Sequence, residues 1–90
     1  LSHEVAEWAN DPFVDNPTPP WGNIGQVSGC QSNLEDADPL TGTIFPVTIG
    51  PRTYHLQEVA FFGWFFDAPG GVNGWFSTQG TLTSGAAPCP

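Results

Sequence analysis

The chain has no lysine and a single arginine, Arg52, against nine acidic residues, giving a formal charge of −8 over 90 residues. Nucleic acid is thereby excluded as a partner, because one cation cannot neutralise the several phosphates from which counterion release draws its affinity. A charge of this size repels itself unless bound cations or low pH offset it. Long apolar runs are also missing. The longest, Val59 to Phe66, is less than half of the roughly 20 residues that a bilayer-spanning helix requires, so no membrane association is expected. Cysteine is scarce, with only Cys30 and Cys89. In a lysine-free chain rich in Gly, Pro and Trp, an even pair predicts a disulfide and an exported, extracellular protein. At this length one domain forms, with a modest core that benefits from a staple. Closing so long a loop stabilises it by about 4 kcal/mol in the chain-entropy model.

What is present begins with Ser2-His3-Glu4-Val5-Ala6-Glu7-Trp8-Ala9-Asn10-Asp11-Pro12. Helical spacing puts His3, Glu7 and Asp11 on one stripe and Leu1, Val5 and Trp8 on another, so one face is suited to a metal and the other to packing. Ser2 is an acceptable N-cap, Glu4 complements the helix dipole, and Pro12 stops the helix near Asn10. His-Glu-x-x-Glu is the zincin motif His-Glu-x-x-His with a carboxylate, still a legitimate zinc ligand, at its last position. His3 and Glu7 are then candidate ligands, Asp11 an alternative one, and Glu4 the candidate general base. The competing reading is an amphipathic helix with a solvated charged face.

The stretch from Phe13 to Gly22 is proline-rich and predicts an extended, partly polyproline loop anchored by Phe13 and Trp21. Gly22 to Cys30 reads as a short strand or turn. A second acidic cluster, Glu35-Asp36-Ala37-Asp38-Pro39, is either an oxygen-ligand set for zinc or calcium or a solvated turn. Thr43 to Ile49 and Arg52 to Gln57 predict a β-hairpin around Gly50-Pro51, with Pro46 confining its strand to an edge. His55 is an alternative ligand, but its position favours the hairpin surface. The aromatic run from Leu56 to Phe66 is read as a short buried helix, with a strand as the alternative, ended by Asp67 to Gly71. From Val72 to Ser84 a loop or irregular strand returns so that Cys89 reaches Cys30. The predicted class is α+β: a small, loop-rich, disulfide-stapled single domain over residues 1–90, with an N-terminal helix, a β-hairpin and a buried aromatic segment.

Taken in order, Ser2-His3-Glu4-Val5-Ala6-Glu7, Asn10-Asp11-Pro12-Phe13, Trp21, Glu35-x-x-Asp38 and Tyr54-x-x-Gln57-Glu58 resemble secreted bacterial zincin-like proteins, distantly similar to the plant Exordium (phosphate-induced) proteins. The resemblance spans roughly residues 2 to 66. It implies metal ligands at His3 and Glu7, a third carboxylate at Glu35 or Asp38, and Glu4 as base. Between those two carboxylates Glu35 is preferred for its longer stem, with Asp38 orienting a ligand or hydrogen-bonding to His3. Ala37 stands where relatives carry Gly. The family's upstream region is missing and the chain opens on its active-site helix, so the expectation is a C-terminal part of a longer zincin-like domain.

These readings give a secreted metallopeptidase-like domain that hydrolyses peptide bonds with zinc-activated water. Two carboxylates would cancel the ion's charge and activate water less than a His-rich site does. The alternative is a non-catalytic extracellular module with a structural calcium or zinc ion, associating with an upstream segment of its precursor or with copies of itself. A third reading makes Trp8, Trp21, Trp64 and Trp75 a carbohydrate-stacking surface.

Overall fold

The computed structural model describes residues 1–66, 73–86 and 89. Helix α1 (Ser2–Asn10) ends where Pro12 requires, but it is capped by Leu1 rather than Ser2. The Ser2 hydroxyl instead accepts the backbone N–H of Gln57 at 2.9 Å. The packing face differs from the expected one as well: Leu1, Val5 and Trp8 are exposed, Trp8 by 69%. A charged face turned inward is a costly arrangement for a helix unless its polar groups find partners, and those partners make up the site described below.

The proline-rich segment does not remain a loop. Strand β1 (Pro17–Ile24) pairs antiparallel with β2 (Val27–Asn33), in the register Trp21 opposite Gln31 and Gly22 opposite Cys30. An irregularity between Pro17 and Trp21 takes up Pro19 and Pro20, which have no N–H to give a ladder. Trp21 anchors the strand, fully buried with its indole N–H on the Asn33 carbonyl at 2.9 Å. Phe13 is no anchor; it is 82% exposed. At the hairpin tip Gly25 adopts a left-handed φ of 62°, and any Cβ there would overlap the carbonyl oxygen of Asp38. Glycine at this position lets the tip rest on the 3-10 turn Asp38–Leu40.

The second hairpin, β3 (Ile44–Ile49) with β4 (Arg52–Gln57), runs in unbroken register from Ile44 opposite Gln57 to Ile49 opposite Arg52. The predicted helix from Leu56 to Phe66 is mostly absent. Leu56 and Gln57 finish β4, Ala60 makes a single β-bridge to Ser77, and only α2 (Phe62–Phe65) is helical. The cause is Glu58, a carboxylate exposed by only 1%. Its Oε1 accepts the Ser77 hydroxyl and the N–H groups of Gln79 and Thr81, and its Oε2 accepts the Thr81 hydroxyl. Drawing residues 77–81 around itself, Glu58 holds the chain just after it extended, with Val59 and Ala60 paired to Thr78 and Ser77. Burial raises its pKa, but these hydrogen bonds outweigh that effect and leave it below the usual carboxylate value.

Trp21, Trp64 and Phe65 meet edge to face, with centroids 5.0 to 5.6 Å apart. Leu34, Ala60 and Phe76 complete this core. Trp64 and Trp21 are thus core residues, whereas Trp75 is 45% exposed. Cys89 is bonded to Cys30 on β2 across a separation of 59 residues. The domain is α+β: one N-terminal helix, two antiparallel hairpins, a buried aromatic cluster and a disulfide. No helix among the described residues is long and apolar enough to cross a membrane. The predicted terminator from Asp67 to Gly71 lies outside the described residues.

Candidate metal centre

The inward face of α1 carries His3 and Glu7 onto the Asp38 turn and the end of β4. His3 Nε2 lies 3.1 Å from Glu7 Oε1 and 3.0 Å from Asp38 Oδ1. The three ligand atoms fall within 4.8 Å of one another, the one such group among the described residues. Their side chains are only 11 to 14% exposed.

The protonation pattern of the imidazole follows from its neighbours. Gln57 Nε2 donates to the Ala37 carbonyl at 2.7 Å, so its Oε1 is the atom facing His3 Nδ1, at 2.9 Å. An amide oxygen only accepts, so Nδ1 carries a proton. The lone pair of a neutral ring is then on Nε2, aimed at two carboxylates. Glu7 Oε1 is buried and has no hydrogen-bond partner. A ring nitrogen and two carboxylate oxygens converging, one of the oxygens without a partner, are a donor set for a cation.

Charge crowding supports this reading. The Glu7 carboxyl is pushed up to about 9, first by burial, then by its hydrogen bond with Asp38 and the charges of Asp38, Glu35 and Glu4. A carboxyl that retains its proton so strongly has a vacancy for positive charge that a divalent ion can fill in the proton's place. Glu35 is also raised, by burial and then by the charge of Asp38. Asp36 is raised by burial against the opposing hydrogen bond from Asn10 Nδ2, at 2.6 Å to its Oδ2.

Of the two candidate carboxylates, the one that converges with His3 and Glu7 is Asp38 rather than the preferred Glu35. Asp38 lies in the convergent group, while Glu35 sits beside Glu7 with its carboxyl in hydrogen-bonding range. The reason lies in the first hairpin. Gln26 at the tip donates its backbone N–H to the Asp38 carbonyl and its Nε2 to Asp38 Oδ1 at 2.6 Å, fixing both the turn and the side chain. Asp11 is apart from the cluster, its Oδ1 accepting the N–H groups of Asp15 and Asn16 as the chain leaves α1. His55 is exposed on β4 opposite Pro46, away from the three. Glu4 is exposed on the first turn of α1, close enough for its charge to bear on Glu7.

Comparison with protein-family models, curated proteins and solved structures finds no match for this chain. The site therefore stands on its own geometry. Sequence reasoning missed three positioning residues, Gln57, Gln26 and Asn10. Only Gln57 left a signal: with Glu58 it sets two polar residues against the start of the apolar run. Nothing local marks Gln26, whose contact is made in space.

Proposed function

We propose that this chain is an exported, zincin-like metallohydrolase domain that acts on peptide bonds, with His3, Glu7 and Asp38 as the metal ligands. The observation that carries the reading is the convergence of His3 Nε2 with two carboxylates, one bearing an orphaned buried oxygen. Calcium takes oxygen ligands, whereas one imidazole with two carboxylates suits zinc. Three convergent protein ligands are the count of a catalytic site, which keeps a position open; a structural site closes with four. When bound, the ion supplies a Lewis acid that polarises a carbonyl and acidifies water.

The residues of the chain divide the remaining work. Gln57 holds the ring of His3, and Gln26 holds Asp38. Glu4, next to His3 and open to solvent, takes a proton from water and passes it to the leaving amine, the general-base role. Secretion fits the disulfide, which persists in oxidising compartments.

A second reading, a purely structural ion, draws on a specific observation. Helix α1 contains no buried residue and is held by polar contacts from Ser2, His3 and Asn10, so an ion here would staple it down. The test is elemental analysis and a fluorogenic peptide assay on the wild type, Asp38→Asn and Glu4→Gln. Stoichiometric zinc that is lost in Asp38→Asn, with activity lost but zinc kept in Glu4→Gln, is the expected result. Zinc without activity in the wild type would leave the structural reading, and no zinc at all would remove both.

A further inference from the structure

Beside the site lies an open cleft of about 500 Å³, walled by Val59, Ala60, Phe61 and Phe62 and rimmed by Asn10 and Asp36. Its size is that of a small-ligand pocket, and such pockets combine apolar walls with a few fixed polar groups. The walls are fixed by backbone hydrogen bonds: Phe61 N–H bonds to the Phe76 carbonyl and Ala60 N–H to the Asp36 carbonyl. The rim residues neighbour the metal centre along the chain. Asn10 lies one turn beyond Glu7 on α1, and Asp36 lies between Glu35 and Asp38.

We infer that this cleft is a subsite for an apolar side chain of a cationic peptide segment, an inference that rests on the peptidase reading above and names its substrate class. Three features select that occupant. The walls bear no charge, and Phe62 is 52% exposed, so an apolar side chain entering the cleft removes apolar surface on both partners from water. Asn10 uses its amide N–H groups on the Ala6 carbonyl and on Asp36, which leaves its Oδ1 as an acceptor for a peptide N–H. Asp36 on the rim and the chain's net charge of −8 attract lysine or arginine flanking the apolar residue and repel acidic peptides.

The experiment is an NMR titration of the full chain, once in EDTA and once loaded with zinc, using the amidated peptide acetyl-Lys-Ala-Leu-Lys and two versions of it, Leu→Gly and both Lys→Glu. The parent peptide should shift the amides of Val59 to Phe62 and the side chain of Asn10 in both metal states. Leu→Gly should bind roughly tenfold to a hundredfold more weakly, the loss of one buried apolar side chain. The Glu version should bind more weakly still, and about 1 M salt, where the Debye length is about 3 Å, should weaken the parent. On the protein side, Phe62→Ala removes an exposed wall with little risk to the fold and should weaken the parent severalfold while leaving zinc affinity unchanged. Equal binding of the Leu and Gly peptides, or shifts confined to other surfaces, would overturn the inference. Because the EDTA arm needs no metal, failure there is separate from failure to bind zinc, which would strike the peptidase reading alone.

Discussion

Replacing Gln57 with leucine tests the logic of the metal centre without touching a proposed ligand. Two contacts disappear. The Ala37 carbonyl loses its 2.7 Å donor, and because Ala37 is fully buried water cannot readily replace it, at a cost of about 1–3 kcal/mol of folding stability. His3 Nδ1–H loses the acceptor that fixes the ring and its tautomer. Loss of such a partner typically costs about tenfold to a hundredfold in metal affinity, or about 1.4–2.7 kcal/mol. With saturating zinc, the ion's contribution to stability should shrink by that same amount, since it scales as RT ln of ligand over Kd. Gln57→Glu separates the two effects: its carboxylate still accepts from Nδ1 but cannot donate to Ala37. The glutamate variant should be destabilised much as the leucine variant is, yet hold zinc within about tenfold of the wild type. Chelator competition and denaturant melts with and without zinc read both quantities. Wild-type zinc affinity in Gln57→Leu would refute the argument that this amide sets the imidazole.

The remaining predictions concern stability. Without a cation, the native state keeps on Glu7, up to about pH 9, a proton that the unfolded chain releases near 4.5. Stability in EDTA should therefore fall as pH rises across that window, and zinc should flatten the fall; urea midpoints that climb with pH in EDTA would contradict it. Glu58 behaves oppositely, its lowered pKa giving stability that is lost as pH falls through the acid range. Glu58→Ala strands the donors of Ser77, Gln79 and Thr81 at about 1–3 kcal/mol for each one that stays buried. It should cost clearly more than Glu58→Gln, which keeps an acceptor oxygen; equal losses in thermal melts would count against the network. Reducing Cys30–Cys89, which spans 59 residues, should lower stability by about 4 kcal/mol, and an unchanged denaturation midpoint under reductant would show the bridge to be inconsequential.

The local elements were legible because their causes are local. Pro12 ends α1 at Asn10 through its effect on the residue before it. Gly50-Pro51 separates two β-rich runs that then pair in full register. Two cysteines in a chain this small form the one bridge open to them. Periodicity likewise placed His3 and Glu7 together on one stripe, since residues four apart on a helix share a face by geometry alone.

Tertiary contacts decided the rest. The same periodicity predicted that Leu1, Val5 and Trp8 would pack, and they are exposed, because the partners available to α1 are polar: Gln57, 54 residues from His3, and Asp36, 26 residues from Asn10. The proline-rich segment became a strand only because β2 offered it a ladder, and the aromatic run was held extended by a buried carboxylate bonded to residues 77–81. Asp38 stands in the site instead of Glu35 because the tip of a hairpin 12 residues upstream binds its side chain and backbone. Propensity and spacing act over a turn or two of chain. Which carboxylate reaches an imidazole depends on closing loops many times longer, and that is settled by the contacts that offset the entropy of closure.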